Sequence, residues 1–267
     1  MKKTIIIGGG PAGVTAALYA KRGGVDVQLF SMGSGALAKA DKIDNYYGFP
    51  GGVSGSELMQ RGIEQVMSLG IVVTEEEVVG LEPGGGFFVD TSKERYEADS
   101  VIMAMGSPRK VPKVRDIEKF EGRGVSYCAV CDGFFFKGKK VAVLGSGEYA
   151  EHEAEVLRPI AESVTMIDAA EAVEGGDLLE RVISKDGTVN SVSGLFVAMG
   201  SAGSADLARK LGAATEGSKV KVDENMATNI PGLFAAGDCT GGLMQVAKAV
   251  HEGAVAGLAA VKWHNKK

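Results

Sequence analysis

The chain has 267 residues, 45 % of them hydrophobic and 24 % charged, with a net charge of −5. That length allows one large domain or two modest ones, the composition is that of a folded chain, and the acidic balance argues against nucleic acid as a partner, because phosphate binding needs a basic surface. Glycine is in excess at 39 residues with no Gly-X-Y period, which excludes collagen and points to tight turns between strands and helices. Three cysteines are too few for a secreted disulfide scaffold. The apolar start stops at Gly8-Gly9-Gly10-Pro11, so neither an export segment nor a membrane span is expected, and the cytoplasm is the default location.

Residues 3–7 read as a buried strand, 8–13 as a glycine turn, 12–22 as a helix of small residues and 25–30 as a second strand, which is a βαβ opening. Residues 55–69 have the period of an amphipathic helix. Short β segments follow over 71–98, broken by the hairpin signal Pro83-Gly84-Gly85-Gly86, and 101–104 is a further strand. The pattern then restarts: strand 140–144, turn Gly145-Ser146-Gly147, helix 149–160, strand 164–167. Strands at 195–199 and 233–235 follow, and 244–261 closes the chain as a helix rich in Ala, Val and Gly, hence buried. Two βαβ starts give an α/β protein with two nucleotide-binding, Rossmann-like domains.

Three motifs carry chemistry. Gly8-x-Gly10-x-x-Gly13 follows a strand and opens a helix, so backbone N–H groups and the helix dipole can meet a pyrophosphate. The acidic ribose ligand expected after the second strand is replaced by Phe30-Ser31. Cys128-Ala129-Val130-Cys131-Asp132-Gly133 reads as a redox C-x-x-C, the alternatives being a structural pair or a metal site. A zinc site would need two more ligands, but there is no second C-x-x-C and the three histidines are scattered, so no metal is expected. Asp132 can serve beside the pair as a general acid, or simply as a cap. In Leu233–Cys239 an apolar strand ends in Gly237-Asp238, where a carboxylate can accept hydrogen bonds from ribityl hydroxyls or be a mere turn residue.

Together these motifs resemble those of the low-molecular-weight thioredoxin reductases. Gly8-Gly9-Gly10-Pro11-Ala12-Gly13 is similar to their FAD motif. Asp44-Asn45-Tyr46-Tyr47-Gly48-Phe49-Pro50 is similar to their flavin-contacting segment. The Cys128–Gly133 stretch resembles their active site, and the Gly237-Asp238 stretch with Gln245 their second FAD motif. The resemblance implies an FAD domain made of both chain ends (1–107 and 230–267) around an inserted, shortened NAD(P)-like domain (108–229) that carries the cysteines. It also implies a homodimer. Cys131 would be the flavin-proximal thiol, Cys128 the thiol that attacks thioredoxin and Asp132 the acid/base. Gly8, Gly10, Pro11, Ala12, Gly13, Asn45, Gly237, Asp238 and Gln245 would contact FAD. Cys239 matches no catalytic position and is expected to be a small buried side chain.

The middle segment departs from that pattern. Relatives carry arginines for the NADPH 2′-phosphate after its second strand; here stand Asp168-Ala169-Ala170-Glu171, and the next arginine is Arg181. Only 26 residues separate Asp168 from Leu195, too few to finish a nucleotide fold. Glu148, Glu151, Glu153 and Glu155 crowd the second helix, and Tyr149 is bulky for a phosphate turn. The chain therefore resembles a subgroup with a degenerate nucleotide domain, which in clostridia is reduced by ferredoxin. Lys39, Lys42, Arg109, Lys110 and Lys113 are docking charges to consider. The rivals are an enzyme reduced by NAD(P)H, with Asp168 favouring NADH, or by a deazaflavin, and a flavin-binding sensor without turnover.

Overall fold

The computed structural model describes residues 2–33, 35–106, 112–199 and 203–266. In chain order the first elements are β1 (Lys3–Ile7), α1 (Pro11–Arg22), β2 (Asp26–Phe30), α2 (Gly55–Ser68), β3 (Val72–Thr74), β4 (Val78–Pro83), β5 (Phe87–Thr91), β6 (Arg95–Ala98) and β7 (Ser100–Met103). Then come β8 (Val125–Ser126), α3 (Ala129–Asp132), β9 (Lys140–Leu144), α4 (Glu148–Leu157), β10 (Ser163–Ile167), β11 (Ala170–Gly175), β12 (Leu179–Ser184), β13 (Val189–Ser191) and β14 (Gly194–Val197). Last are α5 (Ser204–Lys210), β15 (Thr215–Glu216), β16 (Lys219–Val220), β17 (Leu233–Ala235) and α6 (Val246–Lys266).

Two units form, one from Met1–Pro108 with Gly203–Lys267, the other from Arg109–Ala202. The return to the first unit thus falls at 202/203 rather than at 229/230. Residues 203–229 belong there because α5 packs on β4, with Lys210 Nζ donating to the Val79 carbonyl, and because Asn229 binds back to Ala214 N–H at 2.7 Å.

The first unit is built on a five-stranded parallel sheet in the order β17-β7-β1-β2-β3. The Ile and Val runs of β1 and β7 are covered on both faces, as parallel strands require. Helix α1 begins on Pro11, whose fixed φ suits a first turn. Helix α2 begins on Ser54, whose hydroxyl accepts Glu57 N–H at 3.1 Å. The Pro83–Gly86 signal closes the β4–β5 hairpin, where Gly84 N–H donates to the Gly86 carbonyl at 3.0 Å. Helix α6 begins two residues later and ends five residues later than the sequence pattern gives. It lies against α1 through glycine: a Cβ at Gly253 would overlap the Ala12 carbonyl. Its far end is fixed by buried His264, whose Nε2 lies 3.0 Å from Thr4 Oγ1 and 3.1 Å from Ser100 Oγ.

The second unit has a four-stranded parallel sheet, order β10-β9-β14-β8, and a separate antiparallel meander, β11-β12-β13. The meander occupies the interval that the sequence leaves too short for a helix and further parallel strands. β10 is consequently an edge strand. Helix α4 stops at Leu157 instead of 160, the last residues forming a turn closed by Ile160 N–H to the Leu157 carbonyl at 2.9 Å.

Candidate functional site

In open α/β sheets ligands gather at the carboxyl ends of the strands. Three of the sequence motifs lie at such ends: the Gly8–Gly13 turn after β1, Gly237-Asp238 after β17, and the cysteine segment after β8.

In the first unit the glycines divide by role. A Cβ at Gly8 (φ +115°) would overlap the Ala104 carbonyl, and one at Gly13 would overlap the Gly8 carbonyl, so both serve close backbone packing. A Cβ at Gly10 meets nothing within 4 Å. Gly10 is the N-cap of α1, without a side-chain cap or an acidic residue in the first turn, so the helix amino end is open to an anion. Ser31, standing where the acidic ribose ligand was expected, is buried against Gly9.

Gly237 (φ +87°) brings the second motif onto the first: its Cβ would come within 2.9 Å of Ala12 Cβ. Sequence reasoning missed the clamp beneath it. Lys248 Nζ donates to the carbonyls of Gly237 (2.8 Å) and Gly241 (2.5 Å) and to Thr240 Oγ1 (2.9 Å). Glu252 accepts Gly237 N–H at 2.8 Å and pairs with Lys248 at 3.0 Å. The i, i+4 spacing of Lys248 and Glu252 on α6 was the available signal. Asp238, half-buried, opens the short turn held by this clamp. Asn45 donates to Gln245 Oε1 at 3.0 Å. Nearby Tyr46 stacks on Phe49 with centroids 5.8 Å apart. A cavity of about 230 Å³ opens here, lined by Gly9, Gly10, Pro11, Thr15, Tyr46 and Phe49 among others.

In the second unit Cys128 is buried and disulfide-bonded, at the entrance to the four-residue α3. Cys131 lies in α3; its side chain is outside the described residues. Asp132 ends that helix, and its Oδ2 accepts from Ser126 Oγ at 2.7 Å. Ser126 Oγ also accepts Cys128 N–H at 3.1 Å. Ala129 N–H donates to Glu153 Oε2 at 2.7 Å. Neither Ser126 nor Glu153 stood out in the sequence for this role. Glu153 is 1 % exposed and faces inward, so it does not belong to the charged face of α4 with Glu148, Glu151 and Glu155. Tyr149 is likewise corrected: its side chain is fully buried and does not stand in a phosphate path. Both follow from helical phase, since 149, 150, 153, 154 and 157 form one face.

The remaining nucleotide features of this unit are poor. Gly145 (φ +147°) repeats the packing of Gly8, its Cβ overlapping the Ala198 carbonyl, but the first turn of α4 carries exposed Glu148 and Glu151. Asp168 is exposed just past edge strand β10. A cation overlooked in the sequence, Arg115, reaches this region through its bridge to Ala172 and pairs with Glu171 at 3.7 Å. Cys239 in the first unit is free and fully buried, and burial pushes its thiol up to about 11. Among the described residues there is no cluster able to hold a metal and no helix long and apolar enough to cross a membrane.

Glycine-turn nucleotide folds with a disulfide on a short helix define a nucleotide-fold disulfide oxidoreductase. The Pyridine nucleotide-disulphide oxidoreductase family matches residues 2–177 and 170–253. The thioredoxin reductase of Aquifex aeolicus (strain VF5) is 32 % identical over 273 residues, covering 88 % of this chain and 84 % of that one. The crystal structure of the atypical thioredoxin reductase TRi from Desulfovibrio vulgaris Hildenborough matches with a TM-score of 0.95 at 36 % identity, over 100 % of this chain and 99 % of that one. A ferredoxin-flavin thioredoxin reductase from Clostridium acetobutylicum matches with a TM-score of 0.76 at 35 % identity, over 99 % and 98 %. The chain belongs to the pyridine nucleotide-disulphide oxidoreductase family. Within it the chain stands among the thioredoxin reductases, FAD-binding flavoenzymes that act on disulfides.

Proposed function

We propose that this chain reduces thioredoxin through FAD and the Cys128–Cys131 pair, and that its electrons come from a reduced ferredoxin rather than from NADPH. The observation that carries the donor assignment is the end of β10. It is an edge strand followed by Asp168 and an antiparallel meander, so the wall and cations that grip a 2′-phosphate are not built. Arg115 does not supply them while it is paired with Glu171. The clostridial neighbour is itself named a ferredoxin-flavin enzyme, which supports the same reading. Exposed Lys39, Lys42 and Lys113 are suited to an acidic protein donor; Arg109 and Lys110 lie outside the described residues.

The first unit fits FAD on its own geometry. Gly10, Pro11 and Ala12 would leave the amino end of α1 for the pyrophosphate, Gly8 and Gly13 shape the turn, and Gly237 and Asp238 would hold the ribityl chain. Asn45 and Gln245 border the same site. When bound, the flavin supplies the two electrons that open the Cys128–Cys131 disulfide. The Cys128 thiolate then attacks a sulfur of oxidised thioredoxin, forming a mixed disulfide. The displaced thioredoxin sulfur takes from Asp132 the proton that Asp132 had removed from the Cys128 thiol. The Cys131 thiolate next attacks Cys128 Sγ, re-forms the enzyme disulfide and releases the second thioredoxin sulfur as a thiolate, which takes its proton from water. Two thiols of the enzyme are oxidised and two of thioredoxin are formed. The protein is read as a cytoplasmic homodimer.

Cys128→Ser and Cys131→Ser test the dithiol. Both should retain FAD and a reducible flavin while losing thioredoxin reduction. Near-normal turnover in either would overturn the assignment.

A further inference from the structure

We propose that Ser126 is a positioning residue that holds Asp132 for proton transfer and couples it to the Cys128 backbone. The inference rests on the acid/base role proposed for Asp132 and deepens it. Ser126 closes β8 and is buried, so its hydroxyl has little access to water. Its O–H donates to Asp132 Oδ2 at 2.7 Å, the short range of a hydrogen bond to a carboxylate. Its oxygen accepts Cys128 N–H at 3.1 Å. A second acceptor, the Cys128 carbonyl, lies 3.4 Å away.

These contacts give the hydroxyl a partner in either state of the carboxyl group. With Asp132 ionised, Ser126 O–H donates to it across the 2.7 Å contact. With Asp132 protonated, the acid can donate to Ser126 Oγ while the serine proton turns to the Cys128 carbonyl. The proton given to the departing thioredoxin sulfur comes from Asp132; Ser126 gains and loses none. Two of the four α3 amides are already engaged. α3 has four residues, and its first amide, Ala129 N–H, is committed to Glu153 at 2.7 Å. The Asp132 amide is committed to the Cys128 carbonyl at 3.1 Å. Without Ser126, Asp132 Oδ2 loses this anchor, and the proton is offered from a broader set of positions.

The test is a double-mutant cycle in the FAD-loaded enzyme, reduced with dithionite so that the natural donor is not involved. The rate read is thioredoxin reduction in a single turnover. Ser126→Ala should slow it on the order of 10- to 100-fold and leave flavin reduction unchanged. Ser126→Thr, which keeps the hydroxyl, should recover most of the rate. In an Asp132→Asn background Ser126→Ala should add little. The solvent deuterium isotope effect should change in Ser126→Ala and return in Ser126→Thr. Equal slowing by Ser126→Ala with and without Asp132→Asn would overturn the proposal, as would no slowing or a threonine variant as slow as alanine. If Asp132→Asn itself turns over normally, the acid/base reading fails and this inference with it. A slow Asp132→Asn beside a fast Ser126→Ala removes the inference alone.

Discussion

Asn45 donates its side-chain amide to Gln245 Oε1 at 3.0 Å, joining the loop ahead of α2 to the residue just before α6. The two lie 200 positions apart in the chain. If this pair frames the flavin, Asn45→Ala and Gln245→Ala should each weaken FAD binding severalfold. The double variant should be little worse than either single, because one hydrogen bond of about 1 kcal/mol is removed once. FAD titration of the apoprotein, followed by flavin fluorescence, measures this. Independent, fully additive losses would mean that the contact plays no part in holding the cofactor.

The glycine turn separates packing from binding. Gly8→Ala forces a side chain into the Ala104 carbonyl at φ +115°, so it should destabilise the fold by a few kcal/mol. Gly10→Val places its Cβ where no protein atom lies within 4 Å, so it should cost the apoprotein only the N-cap preference of glycine, about 1 kcal/mol, while lowering FAD affinity at least tenfold. Calorimetry of the apoproteins beside FAD titration distinguishes the two. A Gly10→Val protein with normal FAD affinity would displace the pyrophosphate from this turn.

Cys239 should be chemically silent. Its thiol is pushed from 9.0 up to about 11, chiefly by burial. At pH 8 that cuts the thiolate fraction about 100-fold. In a Cys128→Ser/Cys131→Ser protein, alkylation should therefore wait for unfolding. The linkage has a definite sign. The folded value is raised, so the thiol's contribution is whole below pH 9 and is lost as pH rises from about 9 to about 11, up to ~3 kcal/mol in all. Wild type should lose more stability than Cys239→Ala over that window. Parallel curves would show that the thiol is not desolvated in solution.

Much of the first unit is legible from period and punctuation. β1, α1 and β2 follow from an apolar run, a glycine turn and a small-residue helix, and β17 from its apolar triplet before Gly237. The meander β11–β13 was harder to read, because short, half-exposed antiparallel strands such as Val189–Ser191 carry little periodic signal. The assignment of 203–229 to the first unit depends on tertiary contacts such as Lys210 to the Val79 carbonyl, for which local sequence has no mark. The site divides in the same way. The cysteines and Asp132 announce themselves by spacing. Ser126 and Glu153 are ordinary residues until β8 and α4 bring them to α3. Glu153 in particular sits among other glutamates and reads as surface charge.

The donor assignment predicts how repairs should fail. A 2′-phosphate beside Asp168 meets a repulsion of about 3 kcal/mol per unit charge at ~5 Å and an effective dielectric of ~20. Exposure and salt reduce that severalfold. The edge position of β10 matters more, since a missing wall is not restored by one charge. Asp168→Arg alone should therefore create no NADPH-driven thioredoxin reduction in a coupled assay. A variant that turns over briskly with NADPH would show that charge alone withheld the cofactor.

The most direct measurement is anaerobic bleaching of the bound flavin with each donor in turn, followed by addition of oxidised thioredoxin. Reduced ferredoxin should bleach the flavin and sustain thioredoxin reduction, at a rate that falls as salt rises if the lysines guide docking. NADPH and NADH should leave the flavin oxidised. Rapid bleaching by micromolar NADPH, with thioredoxin reduced in step, would contradict the account and make the second unit a working nucleotide domain.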